Sequence, residues 1–208
     1  MQQQDHRRPN KHAIRTAETR ARLLEVASQL FTEQGFENTR LEQVAVQAGY
    51  TRGAIYAHYA NKEDLFLDLL REQFKRRFAQ LRVVLESESS TAKRLEKLRD
   101  WMLHQMTGGP WAILTLEFKL YTLRRPGARA QLQSMYSLLY ESNGQEFAKM
   151  VFAERLSKSN ALNARRKLAL LGGVLSAAVV ESKFRPELLP RKPMQQMLSD
   201  LIEVLLQI

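Results

Sequence analysis

The chain has 208 residues, 44% of them hydrophobic, enough for one large or two small domains with a sizeable core. It has no cysteine, which excludes disulfides, thiol catalysis and cysteine-ligated metal. The formal net charge of +10 points toward a polyanion, nucleic acid ahead of a membrane surface. No apolar run reaches transmembrane length, and the polar, basic start lacks the apolar stretch of a secretory signal, so a cytoplasmic protein is expected.

Nearly every segment has helical period and none alternates like a strand, so the expected fold is all-α with nine helices. Residues 1–14 read as a flexible basic arm carrying Arg7, Arg8 and Lys11. The first helix spans about 15–34, with Leu23, Leu24, Ala27, Leu30 and Phe31 on one face and Gly35 as its C-terminal stop. "TRLE" then predicts a capping box, Thr39 at the N-cap and Glu42 at the third helical position. The helix it opens has Leu41, Val44, Ala45 and Ala48 on one face and stops at Gly49.

The next stretch, "TRGAIYAHYANKEDL", holds a short helix that Thr51 can cap. Its apolar stripe is thin, Ile55 and Tyr59, and its opposite face is Gly53, Ala54 and Ala57. Glycine there costs roughly 1 kcal/mol relative to alanine, so the bare face needs a reason. Two short helices joined by a glycine turn describe a helix-turn-helix, whose second helix lies in the DNA major groove. Small outward residues would let that helix approach closely. Arg52 can read guanine or hold a phosphate; Thr51, Tyr56 and His58 can donate to phosphate oxygens. Lys62 follows at the start of the next helix, where exposed N–H groups favour an anion. The alternative, a tight helix contact inside a core, would strand the polar ring around the bare face.

Asn61 and Asp64 open a long helix with Leu65, Phe66, Leu69, Leu70, Phe74, Phe78, Leu81 and Leu85 at three- and four-residue steps. Further helices are expected over about 91–106, 111–124, 128–155, 162–184 and 194–207. Those from about 95 to 152 are rich in aromatics and methionine: Trp101, Met102, Met106, Trp111, Leu114, Phe118, Tyr121, Tyr136 and Leu139. Each alone reads as core; together they suit an adaptable apolar cavity. Glu117 shares a face with Leu114, Phe118 and Tyr121 and reads as an edge carboxylate or a polar anchor. The last two helices are apolar over more than one face. Leu171, Val174, Leu175 and Ala178 on one, and Leu198, Leu201, Ile202 and Leu205 on the other, suggest an interface with a second copy.

The histidines, His6, His12, His58 and His104, form no metal-binding pair, and the chain has no Gly-rich phosphate loop and no G-x-S-x-G elbow. No enzyme activity, cofactor or metal is therefore expected.

"FENTRLEQVAVQAGYTRGAIYAHYANKEDLFLDLL" resembles the DNA-binding domain of the TetR/AcrR transcriptional regulators, over about Arg20 to Leu70. The resemblance implies DNA contacts by Arg40, Tyr50, Thr51, Arg52, Gly53, Tyr56, His58 and Lys62. Tyr50 is larger, and Ala57 smaller, than the family's usual residues there. It further implies a DNA-binding domain over 15–62 and a helical effector-binding and dimerisation domain over 63–208. The expected partners are a near-palindromic DNA duplex, a second copy of the chain and a small lipophilic or aromatic effector that releases DNA, with repression the default. Two other readings are a sequence-indifferent DNA-packaging protein and a helical ligand-binding domain or enzyme with a non-functional head.

Overall fold

The computed structural model describes residues 11–107, 111–127 and 158–206, together with 129, 130, 133, 134 and 137; the side chains of 105–107, 111, 158–161, 164, 165, 168 and 206 lie outside that description. All regular structure among the described residues is helical. In chain order the helices are α1 (Lys11–Gln34), α2 (Leu41–Gln47), α3 (Arg52–His58), α4 (Lys62–Glu86), α5 (Thr91–Thr107), α6 (Trp111–Leu123), α7 (Lys158–Phe184) and α8 (Arg191–Leu206). The ninth expected helix, over about 128–155, falls almost wholly outside the described residues. So do residues 1–10 of the basic arm, and α1 starts at Lys11, four residues before its expected start.

Contacts divide the chain into two compact units after Leu70. The first unit is built on α1. Leu23, Leu24, Ala27, Leu30 and Phe31 are all buried, as their spacing predicts, and Val26 joins them. Gly35 ends α1 at φ +82°, a conformation side chains resist, and its N–H reaches the Phe31 carbonyl at 3.0 Å. The chain turns there to bury Phe36 beside Phe31 and Phe66; the three ring centroids lie 5.0–5.5 Å apart, two of the pairs edge to face. Phe66 draws the start of α4 into this unit, along with buried Leu65, Leu69 and Leu70, which explains why the division falls eight residues beyond the expected boundary at 62.

The same unit holds a buried polar knot. Asp68, about 8% exposed, accepts from Arg20 twice, each at 2.7 Å, and from the Tyr59 hydroxyl at 2.8 Å. These bonds join α1, α4 and the residue that ends α3. A carboxylate removed from water is tolerated only when charge and hydrogen bonds compensate it, and Asp68 has both.

The second unit has an aliphatic core. Leu81 and Leu85 of α4, Leu98 and Met102 of α5, Leu171, Leu175 and Val179 of α7, and Met194, Leu198 and Ile202 of α8 form one buried cluster. Arg99 ties α5 to α8 through Glu203 at 2.6 Å, and that bond raises the guanidinium above its already high ordinary value. The cluster takes up residues expected at an interface with a second copy. Leu171, Leu175, Leu198 and Ile202 are buried inside this unit's own core, and Val174, Ala178, Leu201 and Leu205 are half-buried against it. The exposed large apolar residues of these two helices, among those described, are Leu162, Leu170, Phe184, Met197 and Val204. The periodicity could not tell the two faces apart, because both are apolar.

Candidate nucleic-acid interface

The geometry of α2 and α3 follows from local signals. Gly49, also at φ +82°, stops α2: its N–H bonds to the Val46 carbonyl at 3.0 Å and the next N–H, of Tyr50, to Ala45 at 2.8 Å. This is the double C-terminal bond of a Schellman motif. Two residues later the Thr51 hydroxyl accepts from the Ala54 N–H at 3.2 Å and caps α3. α3 buries Ile55, and Tyr59 follows it into the core.

The expected capping box of α2 does not form. Its N-cap is Arg40, which makes no side-chain cap bond. Thr39 is buried and its hydroxyl donates back to the Gly35 carbonyl at 2.8 Å. The shift leaves Glu42 one position earlier in the helix than a capping box requires, free to reach across to α3. There its Oε1 accepts from the Tyr56 hydroxyl at 2.8 Å and lies 3.5 Å from Arg52 Nε. The Arg52 guanidinium sits 5.5 Å over the Tyr56 ring. Its own backbone N–H, then Tyr56, then the Arg52 and Arg40 cations hold the Glu42 carboxyl below its ordinary value.

The outer face of α3 is bare. Gly53 and Ala57 are exposed and Ala54 is half-buried. A Cβ added at Gly53 would meet only the Thr51 Oγ1, at 3.8 Å, an ordinary contact. Gly53 therefore fills no internal close contact, and the helix-packing explanation of this glycine fails.

The other sequence-predicted residues divide. Arg40 is exposed beside Glu42, Tyr50 is half-buried, and His58 is half-buried with its ring 6.1 Å from that of Tyr59. Lys62 turns back onto the loop before α2: its Nζ donates to the Glu37 carbonyl at 2.8 Å and lies 4.6 Å over the Phe36 ring. Glu42 and the Arg20–Asp68–Tyr59 knot were missed as site-shaping groups. The signal for Asp68 was present in "LFLDLL", a lone carboxylate in an apolar run.

In the second unit, Leu114, Phe118 and Tyr121 of α6 and Met102 of α5 are buried, and Trp101 packs against the aliphatic cluster. Glu117 is half-buried. Two buried hydroxyls that the pattern did not single out, Thr115 and Thr122, share α6 with them; Thr122 donates to the Phe118 carbonyl at 2.8 Å. Arg125 stacks 4.2 Å over the Tyr121 ring and donates to its hydroxyl at 2.6 Å. Burial lowers Lys119 below its ordinary value. Tyr136, Leu139 and the side chains of Met106 and Trp111 lie outside the described residues. A groove of about 440 Å³ between α5 and α8 is polar, lined by Arg99, His104, Arg191, Lys192 and Gln195 among others. Among the described residues, no three His, Cys, Asp or Glu side chains gather as a metal site, and no helix is long and apolar enough to cross a membrane.

Residues 23–69 match the family described as bacterial regulatory proteins, tetR family. Over 52 residues the chain is 50% identical to the helix-turn-helix-type transcriptional regulator AcrR of Shigella flexneri, covering 25% of this chain and 24% of that one. It is 35% identical over 79 residues to the helix-turn-helix-type transcriptional repressor KstR2 of Mycobacterium tuberculosis, covering 38% of this chain and 40% of that one. Less than half the length of either relative is thus spanned. The fold is shared more widely: FadR from Bacillus subtilis, solved in complex with stearoyl-CoA, superposes with a TM-score of 0.57 at 17% identity, over 88% of this chain and 96% of that one.

Proposed function

We propose that this chain, whose residues 23–69 match the tetR family of bacterial regulatory proteins, is a ligand-responsive cytoplasmic repressor that binds a near-palindromic operator as a homodimer. Its activity is reversible binding rather than catalysis. The observation that carries the reading is the combination at α3: a helix capped by Thr51, ringed by Arg52, Tyr56 and His58, and bare at Gly53 with open space outside it. A glycine that the fold does not need, on a helix it weakens, fits an approach by something external. In a dimer, two such helices would meet half-sites roughly 34–36 Å apart, or a multiple of that.

The second half of the reading is the effector. Met102, Leu114, Phe118 and Tyr121 are buried and would supply an apolar, partly aromatic lining, and a relative in fold was solved with stearoyl-CoA. A lipophilic effector releases DNA only to the extent that it prefers one conformation over the other. KstR2, a repressor, supports repression as the sign.

Selection of bound sequences from random duplex DNA tests the first half. A two-fold symmetric site, bound by two copies, is expected. A strong salt dependence with no preferred sequence would instead mark a packaging protein. Gly53→Leu should abolish binding at unchanged helical content; normal binding by that variant would remove the close-approach explanation. For the effector, lipophilic compounds that raise the melting temperature should also weaken the selected site; stabilisation with unchanged DNA affinity would defeat the switch.

A further inference from the structure

Glu42 places a carboxylate in the middle of a face otherwise made to receive an anion. It contacts Arg52 and Tyr56, which stand one turn apart on α3, and Arg40 is the next cation along. As an exposed ion pair it does little for folding: the Glu42 and Arg52 side chains are 41% and 74% exposed, and solvent screens such pairs. Against DNA it repels phosphates. A group with little stabilising value and an electrostatic cost at the interface calls for another role.

The atoms suggest one. Glu42 Oε1 sits against Arg52 Nε, the inner nitrogen of the guanidinium. That leaves the two terminal nitrogens as a free fork, the edge that reads guanine O6 and N7 in bidentate fashion. The Tyr56 ring beneath the guanidinium and the Tyr56 bond to the same carboxylate oxygen fix the fork from a second side. The Tyr56 proton is thereby committed to Glu42, so this hydroxyl is left as an acceptor and not, as its chemistry first suggests, as a phosphate donor.

We propose that Glu42 is a specificity-determining positioning residue, which aims Arg52 and Tyr56 at one base pair and penalises duplexes that cannot reward that aim. Excluding water on docking strengthens both effects, because charges interact more strongly in the lower dielectric of the closed interface. On a cognate duplex the fork finds its guanine and the arrangement pre-formed by Glu42 loses little entropy. On an unrelated duplex Arg52 cannot leave for a phosphate without abandoning Glu42, and the carboxylate faces phosphates uncompensated.

The inference rests on the DNA-binding reading above, and the test separates the two. The full chain, wild type and Glu42→Ala and Glu42→Gln, is titrated at one fixed salt concentration. The duplexes are the selected site, every single-base variant of it, and an unrelated sequence. Glu42→Ala should lose about tenfold or more of its discrimination at one base pair, and bind the unrelated duplex several-fold more tightly. Glu42→Gln keeps an acceptor for Tyr56 but not the charge for Arg52, and should fall between. It also serves if the alanine variant loses helical content. Preferences unchanged at every position would overturn the inference, and so would a loss spread evenly over all duplexes, the mark of a merely structural role. A wild-type chain that selects no sequence would overturn the DNA-binding reading, and this inference with it.

Discussion

The two compact units are both helical, yet they are specified by different means. The first adds directional interactions to its apolar core: two glycines at positive φ, a threonine cap, three interlocked phenylalanines and a carboxylate bonded to Arg20 and Tyr59. The second rests on a cluster of leucine, isoleucine, valine and methionine side chains whose packing has no preferred direction. Directional bonds fix angles, here those that set the seven-residue α3 against the Glu42 carboxylate. Aliphatic packing fixes volume, and it tolerates rearrangement as long as the volume is conserved.

The sharpest way to break this contrast lies in the aliphatic core. Ile202 is fully buried, so Ile202→Ala should cost about 3–4 kcal/mol in urea unfolding, while Ile202→Leu should cost less than about 1.5 kcal/mol. If the leucine variant costs as much as alanine, the second unit is as sterically exacting as the first. A smaller effect is expected in the buried knot. Asp68→Asn keeps the shape but removes the charge that receives both Arg20 bonds, at about 2–3 kcal/mol, toward the lower end because the Arg20 side chain is 35% exposed. A near-isosteric change that costs more in the first unit than in the second is the direct statement of the comparison; the reverse ranking would end it.

Smaller still, Gly53→Ala should stabilise α3 by about 0.5–1 kcal/mol, since the added Cβ meets only Thr51 Oγ1 at 3.8 Å, and yet weaken binding to the selected duplex. Calorimetric melting and a DNA titration on one preparation check both signs; a gain in both would detach the glycine from function. The smallest effect concerns pH. The Glu42 carboxyl is held below its ordinary value of 4.5, so its contribution is present above that value and lost as pH falls through the lowered one. Melting temperatures of the wild type and Glu42→Gln should therefore differ at neutral pH and converge in acid below 4.5. A gap that widens on acidification would reverse the assigned sign.

How far the sequence could be read follows the same division. Leu23, Ala27 and Phe31 were legible because a one-sided helix has one possible inner face. Gly35 and Gly49 were legible as stops, and Thr51 as a cap, because those roles are settled within a turn of backbone. Thr39 was misread for the opposite reason: its hydroxyl had two nearby partners, and the turn at Gly35 decided between them. The Glu42–Tyr56 bond spans 14 positions and the Arg20–Asp68 bonds 48, so both depend on angles between helices that no periodicity encodes. On α7 and α8 apolar residues face both ways, and half of the residues expected to meet a second copy are buried in the unit's own core.

The division of contacts after Leu70 falls inside α4, which runs unbroken from Lys62 to Glu86. The two units therefore share a helix and have no linker between them. A protease needs an extended stretch of some length, and at this boundary it would find only helical backbone whose i→i−4 bonds straddle the division. The units differ in construction but cannot be parted by a clean cut: one made after α4 would leave the first unit carrying the whole of that helix and take Leu81 and Leu85 from the core of the second.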